Sequence, residues 1–191
     1  MNTLIDFISK IDNIPKSSLD KFLALISLKK FKKGDVIAKT GEIPKELYIL
    51  KKGVIRSFYI DEKAKEYIRH IFTPLRATGA LGSLIVNKPS RLTYDCLSDC
   101  EAYALNYKEF KALSVKDIGV SNLYSAALEI VFLTLESKVF DLSVLNATER
   151  YLKLKKQIPD IENLIPQYHI ASYLNITPVQ LSRIRKEIFS K

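Results

Sequence analysis

The pattern of apolar and polar residues divides the chain into three parts. Residues 2–29 place apolar side chains at helical spacing on both sides of Pro15, which predicts two short helices. From Phe31 to Tyr107 the pattern changes to short runs rich in Val, Ile, Tyr and Phe, each closed by glycine, proline or a polar cluster. Such runs at near-regular intervals predict a small antiparallel barrel or sandwich. From Asp117 onward, helical spacing returns.

Residues 117–145 contain no proline and one early glycine, which predicts a single long helix. Their apolar positions alternate spacings of four and three, with Lys138 at one expected apolar place, and this is typical of a coiled-coil seam of about three heptads. We therefore predict a parallel homodimer. Alternatively, the helix packs on its own barrel, because Ile130, Phe132 and Val139 lie off the seam. The predicted seam residues are Tyr124, Leu128, Val131, Leu135, Leu142 and Leu145.

The remaining residues, 147–191, predict a helix-turn-helix. One helix is predicted around 148–157 and runs to Pro159, a second follows Pro166 and is broken at Asn175, and a third begins after Thr177. Thr177 is a good N-cap residue, and Pro178 suits the first helical position, where its missing N–H is not needed. The chain therefore closes with a helix, a tight turn and a helix.

Positive charge is concentrated in this last part. The formal net charge of the 191 residues is +9, and residues 147–191 hold eight Lys or Arg against four Asp or Glu. Such a surface favours association with nucleic acid or another anionic surface. The basic residues of the last helix and its end are Arg183, Arg185, Lys186 and Lys191, against the single acid Glu187.

The sequence shows no sign of a membrane or secreted protein. No apolar run approaches the roughly 20 residues that span a bilayer. The N-terminus alternates charged and apolar residues and lacks the apolar core of a signal peptide. We therefore expect a cytoplasmic protein without a membrane partner.

Candidate catalytic and metal-binding groups are few. Cys96 and Cys100 are the only cysteines, and we expect two reduced thiols in one extended segment, too far apart for a disulfide. The sequence contains no nucleophile elbow, no P-loop and no metal-spaced His/Cys cluster. A pair of acids such as Asp95 and Asp99 is more simply turn chemistry. We expect neither an enzyme nor a metal site.

Several short motifs follow one another in an order found in one protein family. The last helix opens with "TPVQLSRIRK", after a turn around Asn175 and Ile176 and a helix containing Ala171. The earlier segments "FKKGDVIAKTGE", "LYILKKGVIRSFY", "ATGALGSL" and "PSRLTYDCLSD" occur in order before the long helix. Together these motifs resemble the Crp–Fnr family of bacterial transcription regulators, and the resemblance covers nearly the whole chain.

The resemblance implies an α+β fold with three parts. Residues 1–116 would form an antiparallel β-barrel or jelly roll of the cyclic-nucleotide-binding type, 117–146 a dimerisation helix, and 147–191 an all-α helix-turn-helix DNA-binding domain. Family members usually follow the last helix with a small β wing. Because the sequence ends at Lys191, we expect no full wing.

The resemblance also implies a homodimer that reads a near-palindromic site in double-stranded DNA with helix 178–189. Two such helices about 34 Å apart would enter successive major grooves. The residues that match the family's base-contacting positions are Val179, Gln180 and Arg183, and those expected at phosphates are Ser182, Arg185 and Lys186. RNA polymerase is a further candidate partner. A different class stays open: a nucleotide- or small-molecule-sensing barrel whose helical tail binds a protein partner rather than DNA.

The segment that would hold a cyclic nucleotide departs from the family pattern. In members that bind cyclic AMP, the cassette opens Gly-Glu-Leu-Gly, whose Glu takes the ribose hydroxyl, and later supplies Arg-Ser. Here Ala80 replaces the Glu, and the order Arg-Ser is inverted to Ser90 and Arg91. The guanidinium of Arg91 would still suit a phosphate. The expected pocket residues are Gly79, Leu81, Gly82, Ser90, Arg91 and Leu92.

We therefore expect no cofactor and an effector other than cyclic AMP, or none. The iron–sulfur branch of the family needs four cysteines, whereas this chain has two. His70 is a candidate haem ligand, but a lone histidine is more often a packed or surface imidazole.

Overall fold

The computed structural model describes residues 2–189, so Lys191 of the predicted basic tail lies outside the described residues. The chain separates into two compact units. The first unit comprises the residues up to 56 together with 72–133, and the second comprises 57–71 together with the residues from 134 onward. These units do not coincide with the three predicted parts, because residues 57–71 group with the C-terminal helices and the long helix belongs to both.

The N-terminal helices lie on either side of Pro15, as predicted. They are α1 (Asn2–Ser9) and α2 (Lys16–Ala24), and they bury Leu4 and Phe22 in the core of the first unit. The prediction of helix up to residue 29 was wrong at its end. Strand β1 (Ile26–Phe31) begins there, because this segment pairs with a later strand along its whole length.

The predicted antiparallel jelly roll is confirmed in the described residues as two four-stranded sheets. One sheet has the order β1-β8-β3-β6 and the other β2-β7-β4-β5. The remaining strands are β2 (Val36–Ala38), β3 (Glu46–Lys52), β4 (Ile55–Ile60), β5 (Glu66–Phe72), β6 (Ala77–Thr78), β7 (Thr93–Cys96) and β8 (Cys100–Asn106). Strand β8 pairs with β1 on one side and β3 on the other, and Ala104 faces Ser27 and Tyr48 in register.

The two cysteines lie in different strands, which corrects the expectation of one extended segment. Cys96 ends β7 in one sheet and Cys100 begins β8 in the other, and a turn at Ser98 joins them. Both thiols are free and buried. Cys100 Sγ donates to the carbonyl of Ser98 at 3.2 Å. Interaction between the two neighbouring thiols, together with burial, raises the pKa of Cys96, and the same interaction lowers the pKa of Cys100.

Three short helices were not predicted. They are α3 (Leu81–Val86), α4 (Tyr107–Lys116) and α7 (Ile161–Leu164). Helix α4 is capped by Asn106, whose side chain accepts from the backbone N–H of Glu109.

The predicted long helix is present as α5 (Ile118–Val144). It begins after Asp117, whose carboxylate accepts from Lys21 Nζ at 2.7 Å and from the backbone N–H of Val120 at 3.2 Å. Hydrogen bonds from Lys21 and Ser18 lower the pKa of Asp117 to about 2.

By length and composition alone, α5 could span a membrane, since it has 27 residues and a mean hydropathy of 1.6 in its most apolar window. The expectation from the sequence concerned uninterrupted apolar runs, and within α5 these are broken by Glu129, Glu136, Lys138 and Asp141. Length and composition do not distinguish a membrane span from a helix whose apolar faces meet other protein chains.

The C-terminal helices agree with the predicted helix-turn-helix. They are α6 (Ala147–Gln157), α8 (Gln167–Tyr173) and α9 (Pro178–Phe189), with α7 between the first two. Helix α6 begins with a capping box in which Asn146 and Glu149 each bind the other's backbone N–H, at 3.0 and 2.8 Å. The buried residues of these helices include Tyr151, Leu154, Ile161, Ile170, Leu181 and Ile184.

Candidate nucleic-acid interface

A tight turn joins α8 to α9. Asn175 has a φ of +57°, a left-handed conformation that asparagine tolerates better than most residues. The backbone N–H of Ile176 then donates to the carbonyl of Ala171 at 3.0 Å, which satisfies the end of α8. The turn therefore forms at the residues where the sequence predicts it.

Helix α9 begins with a second capping box. The hydroxyl of Thr177 accepts from the backbone N–H of Gln180 at 3.1 Å, and Oε1 of Gln180 accepts from the backbone N–H of Thr177 at 2.9 Å. Pro178 occupies the first helical position, as predicted. A glutamine that reads adenine uses both its oxygen and its nitrogen, whereas Oε1 of Gln180 is engaged in the cap of α9 in this structure.

The two faces of α9 differ sharply. Leu181 is fully buried and Ile184 is 8% exposed, so this face packs against the other helices of the unit. The opposite face carries four of the six expected DNA-binding residues, all exposed: Val179, Ser182, Arg183 and Lys186. Positions three and four apart share a helix face, and the 12 residues of α9 extend about 18 Å.

Arg185 lies on the other side of α9, which differs from the expected phosphate contact. Its Nε is 2.7 Å from Oε1 of Glu162, an ion pair in which the N–H does not align with the oxygen. Glu162 also accepts from Lys155 Nζ at 2.7 Å and from the hydroxyl of Tyr151 at 2.6 Å. Burial raises the pKa of Glu162, but these partners outweigh it and the net shift is downward. Arg185 therefore ties α9 to α7.

Ser172 connects α8 to strand β5. Its Oγ accepts from the backbone N–H of Ile68 at 2.9 Å and donates to the carbonyl of Glu66 at 3.0 Å. The next residue, Tyr173, contacts the ring of His70 edge-on, with centroids 6.5 Å apart. These bonds explain why residues 57–71 belong to the second unit, and periodicity could not have revealed them.

Helix α5 exposes an apolar stripe that modifies the predicted seam. Phe132 and Val139 are 67% and 62% exposed, and at 100° per residue they lie on the same face as Leu128 and Leu135. Val139, and not Lys138, therefore continues the stripe. Its residues, called the seam stripe below, are Leu128, Val131, Phe132, Leu135, Val139 and Leu142.

The two ends of the predicted seam have other contacts. The Tyr124 hydroxyl lies 2.9 Å from that of Tyr107, and its ring meets Phe110 edge-on within the first unit's core. Leu145 lies beyond the end of α5, and its carbonyl accepts from Arg150. A second apolar stripe occupies another side of α5: Ile130, Leu133, Phe140 and Val144.

The cassette segment uses several expected pocket residues internally. The Ser90 hydroxyl donates to the carbonyl of Leu92 at 2.7 Å, and the Ser90 N–H donates to the carbonyl of Glu42. Leu92 packs beside Ala80, which is 4% exposed, and the stacked rings of Phe72 and Tyr94.

The other expected pocket residues are spread out. Gly79 has a φ of +124°, and a Cβ there would lie 3.3 Å from the carbonyl of Glu46. Leu81 packs with the first unit's main core, while Gly82 and Arg91 are exposed. Across residues 2–189, no group of three or more His, Cys, Asp or Glu is arranged to hold a metal ion.

Comparison with known proteins finds a family match within the first part of the chain. Residues 28–117 match the family described as the cyclic nucleotide-binding domain. No curated protein matches the sequence.

Solved structures with the same fold include three bacterial proteins. The Catabolite Activator Protein of Thermus thermophilus is 20% identical, with 94% of this chain and 86% of that chain covered and a TM-score of 0.58. FixK2 of Bradyrhizobium japonicum is 17% identical, with 86% and 85% covered and a TM-score of 0.72. A protein of Eubacterium rectale assigned to the Crp/Fnr family of transcriptional regulators is 12% identical, with 92% and 85% covered and a TM-score of 0.71. The predicted fold is confirmed, and these three proteins share it.

Proposed function

We propose that this chain, whose residues 28–117 form a cyclic nucleotide-binding domain within a Crp–Fnr fold, is a DNA-binding transcription regulator of bacterial cytoplasm. The observation that carries the proposal is the outward face of α9. This face presents Val179, Ser182, Arg183 and Lys186 on a helix that is capped at its start and held by buried residues behind it. A rigid, basic helix of this length fits a major groove.

Within this face we assign different tasks to different residues. Arg183 has a guanidinium suited to the edge of a guanine base. Its side chain is exposed, and within residues 2–189 no hydrogen bond or ion pair engages it. Lys186 and Ser182 would contact phosphates, which orient the protein without specifying sequence. Gln180 and Arg185 serve the fold instead, through the capping box and the ion pair with Glu162.

We further propose that the active form is a parallel homodimer joined along the seam stripe. Six apolar residues at coiled-coil spacing are exposed or half-exposed on one face of α5, and a second copy of the same helix would cover them. The dimer would present two copies of α9 to a near-palindromic DNA site. It also accounts for the apolar character of α5 without a membrane.

The effector we propose is not cyclic AMP. Ala80 stands where cyclic AMP-binding members of the family have the Glu for the ribose hydroxyl, and it is packed among apolar side chains. Ser90 is committed to the carbonyl of Leu92. A ribose hydroxyl placed there would lose its acceptor, and an unsatisfied buried polar group costs about 1–3 kcal/mol.

The experiment is selection of randomised duplex DNA by the purified full chain, without added ligand and at near-physiological salt. We expect a two-fold-symmetric motif. Arg183→Ala should cost about 1–3 kcal/mol and relax the preference at one base pair of each half-site, while Lys186→Ala should weaken all sequences alike. Binding should fall steeply with salt, as phosphate contacts require.

Lys156→Ala is the matched control, because Lys156 is an exposed cation of α6 outside this face. It should leave the selected motif unchanged. An equal loss on every sequence from Arg183→Ala and Lys186→Ala would refute the assignment of base reading to Arg183. The alternative function predicts a different result. No DNA sequence would be enriched, with or without cell metabolites, and the immobilised chain would instead retain a partner protein from cell extract to the same extent at low and high salt.

A further inference from the structure

A cleft in the second unit lies where the end of α5 meets α6 and α8. It encloses about 310 Å³ of empty space including its open mouth, and its centre, about 20 Å³, has room for one water-sized group. Its walls are rich in cations. The lining residues used below are Lys138, Asp141, Arg150, Lys153, Tyr173 and Leu174.

The single carboxylate of this lining is already paired. Lys153 Nζ lies 2.6 Å from Oδ1 of Asp141, whose side chain is 15% exposed. Among the described residues, neither Lys138 nor Arg150 forms an ion pair with a carboxylate. The cleft therefore holds two positive charges beyond those that its own acid balances.

Arg150 is only partly satisfied. Its Nη1 donates to the carbonyl of Leu145 at 2.5 Å and its Nη2 to the carbonyl of Leu174 at 3.2 Å. Its Nε is buried and has no acceptor within the described part of the protein. A buried donor without an acceptor is rare in native proteins and points to a missing partner.

Lys138 is held in the same cleft without a carboxylate. Its Nζ lies 3.5 Å from the centroid of the Tyr173 ring and 3.4 Å from the Tyr173 carbonyl. Burial, followed by the positive charge of Arg69, lowers the pKa of Lys138 to about 8, against an opposing effect of Asp141. A bound anion would relieve both effects by adding a negative charge.

We propose that this cleft binds a small phosphoryl group, with Lys138 and Arg150 as its ligands. An arginine fork and a lysine ammonium are the usual pair for a phosphate, and the central space accepts one oxygen while the mouth leaves the others near solvent. The group would bridge α5 and α6. Its effect on DNA binding rests on the function proposed above, whereas the binding itself does not.

The test titrates the full-length protein with inorganic phosphate at constant ionic strength, using chloride as the balancing ion. The Cε resonance of Lys138 is identified in lysine-labelled protein by its contacts with the Tyr173 ring. We expect a saturable shift and a rise in the pKa of Lys138 above about 8. No saturable shift, or a pKa that does not rise, would overturn the proposal without any DNA measurement.

Thermal unfolding supplies the variants. Phosphate should raise the Tm of the native chain, and Lys138→Met, which keeps an aliphatic contact with Tyr173, should weaken the apparent affinity by about tenfold or more. Lys156→Met, which removes a solvent-exposed charge of α6, should bind phosphate as the native chain does. Equal affinity in both variants would show general screening and refute the site. If Lys138→Met does not fold, the resonance titration of the native chain decides.

A second titration, with glycerol 3-phosphate, separates two sources of the same group. Tighter binding than inorganic phosphate would support a metabolite that carries a phosphate ester, whereas weaker binding would support free phosphate. Either result requires the saturable shift of Lys138.

Discussion

Helices α5 and α9 both present exposed faces, but the chemistry of these faces is opposite. The C-terminal half of α5 exposes large apolar side chains on two sides, including Phe132 and Phe140. Helix α9 buries its apolar side, which includes Leu181, and exposes hydroxyl and basic residues on the other side. Exposing an apolar face to water is unfavourable, and the free energy falls when another apolar surface covers it. An exposed basic face, by contrast, is well solvated and attracts anions.

The difference indicates which kind of partner each helix requires. A protein surface with matching spacing would cover α5, and the proposed homodimer provides one in a second copy of α5. The outward face of α9 suits a partner with repeated negative charge and a groove wide enough for a helix, and these are properties of the proposed partner, DNA. The following predictions test this division from the largest expected effect to the smallest.

The largest effect should come from Leu135→Glu in the seam stripe. Two-fold symmetry places the new charge on both helices, where it replaces apolar contact by like-charge repulsion. We expect the dimer dissociation constant to rise on the order of 1000-fold, about 4 kcal/mol. Sedimentation equilibrium measures it. The control is Glu136→Lys, which reverses a charge on the neighbouring residue outside the seam stripe and should leave the dimer intact. If both variants dissociate, the seam stripe is not the specific dimer interface.

The next effect concerns the buried face of α9. Leu181→Ala should destabilise the second unit by about 2–5 kcal/mol, because it removes a fully buried side chain and leaves a cavity. Val179→Ala, at a position 61% exposed, should change stability by less than about 0.5 kcal/mol. Hydrogen exchange of the α9 amides measures both changes. Similar values for the two variants would mean that α9 is not packed as described.

The helix-turn-helix could be predicted from the sequence because its signals are local. Asn175, Thr177 and Pro178 each fix a backbone conformation within a few residues, and the structure places the turn and the start of α9 at these residues. The capping role of Gln180 was also visible as a Thr-x-x-Gln spacing, but it was interpreted as base reading.

Other features depended on contacts far apart in the sequence. The inward turn of Arg185 is explained by Glu162, which lies on a four-residue helix too short for periodicity to reveal. The cysteines were assigned to one strand because the turn at Ser98 is short and polar residues also occur within strands. A strict 3.5-residue repeat places Val139 off the seam, whereas the 3.6 residues per turn of α5 place it on the seam stripe.

A smaller effect should separate capping from base reading at Gln180. Gln180→Ala removes the bond to the Thr177 N–H and should destabilise α9 by about 0.5–1 kcal/mol. Gln180→Glu retains an oxygen acceptor for the capping box and should restore that stability. The change is measured by hydrogen exchange. A loss of preference at one adenine in the selected DNA, with unchanged stability in Gln180→Ala, would show that Gln180 reads a base instead.

The smallest effect concerns Lys138, the residue of α5 that turns away from the seam stripe. Its pKa is about 8 in the folded chain and near its ordinary 10.5 in the unfolded chain, so between these pH values the unfolded chain holds a proton that the folded chain has lost. Stability contributed by this group therefore rises with pH from about 8 to 10.5. The Tm of the native chain should rise relative to that of Lys138→Met across this window, in buffers without phosphate. Arg69, Asp141, Arg150 and Tyr173 face the same side chain in both proteins, so the difference isolates Lys138. A constant difference in Tm would mean that burial in the cleft does not lower the pKa of Lys138, and that its ammonium is solvated as on the exposed lysines.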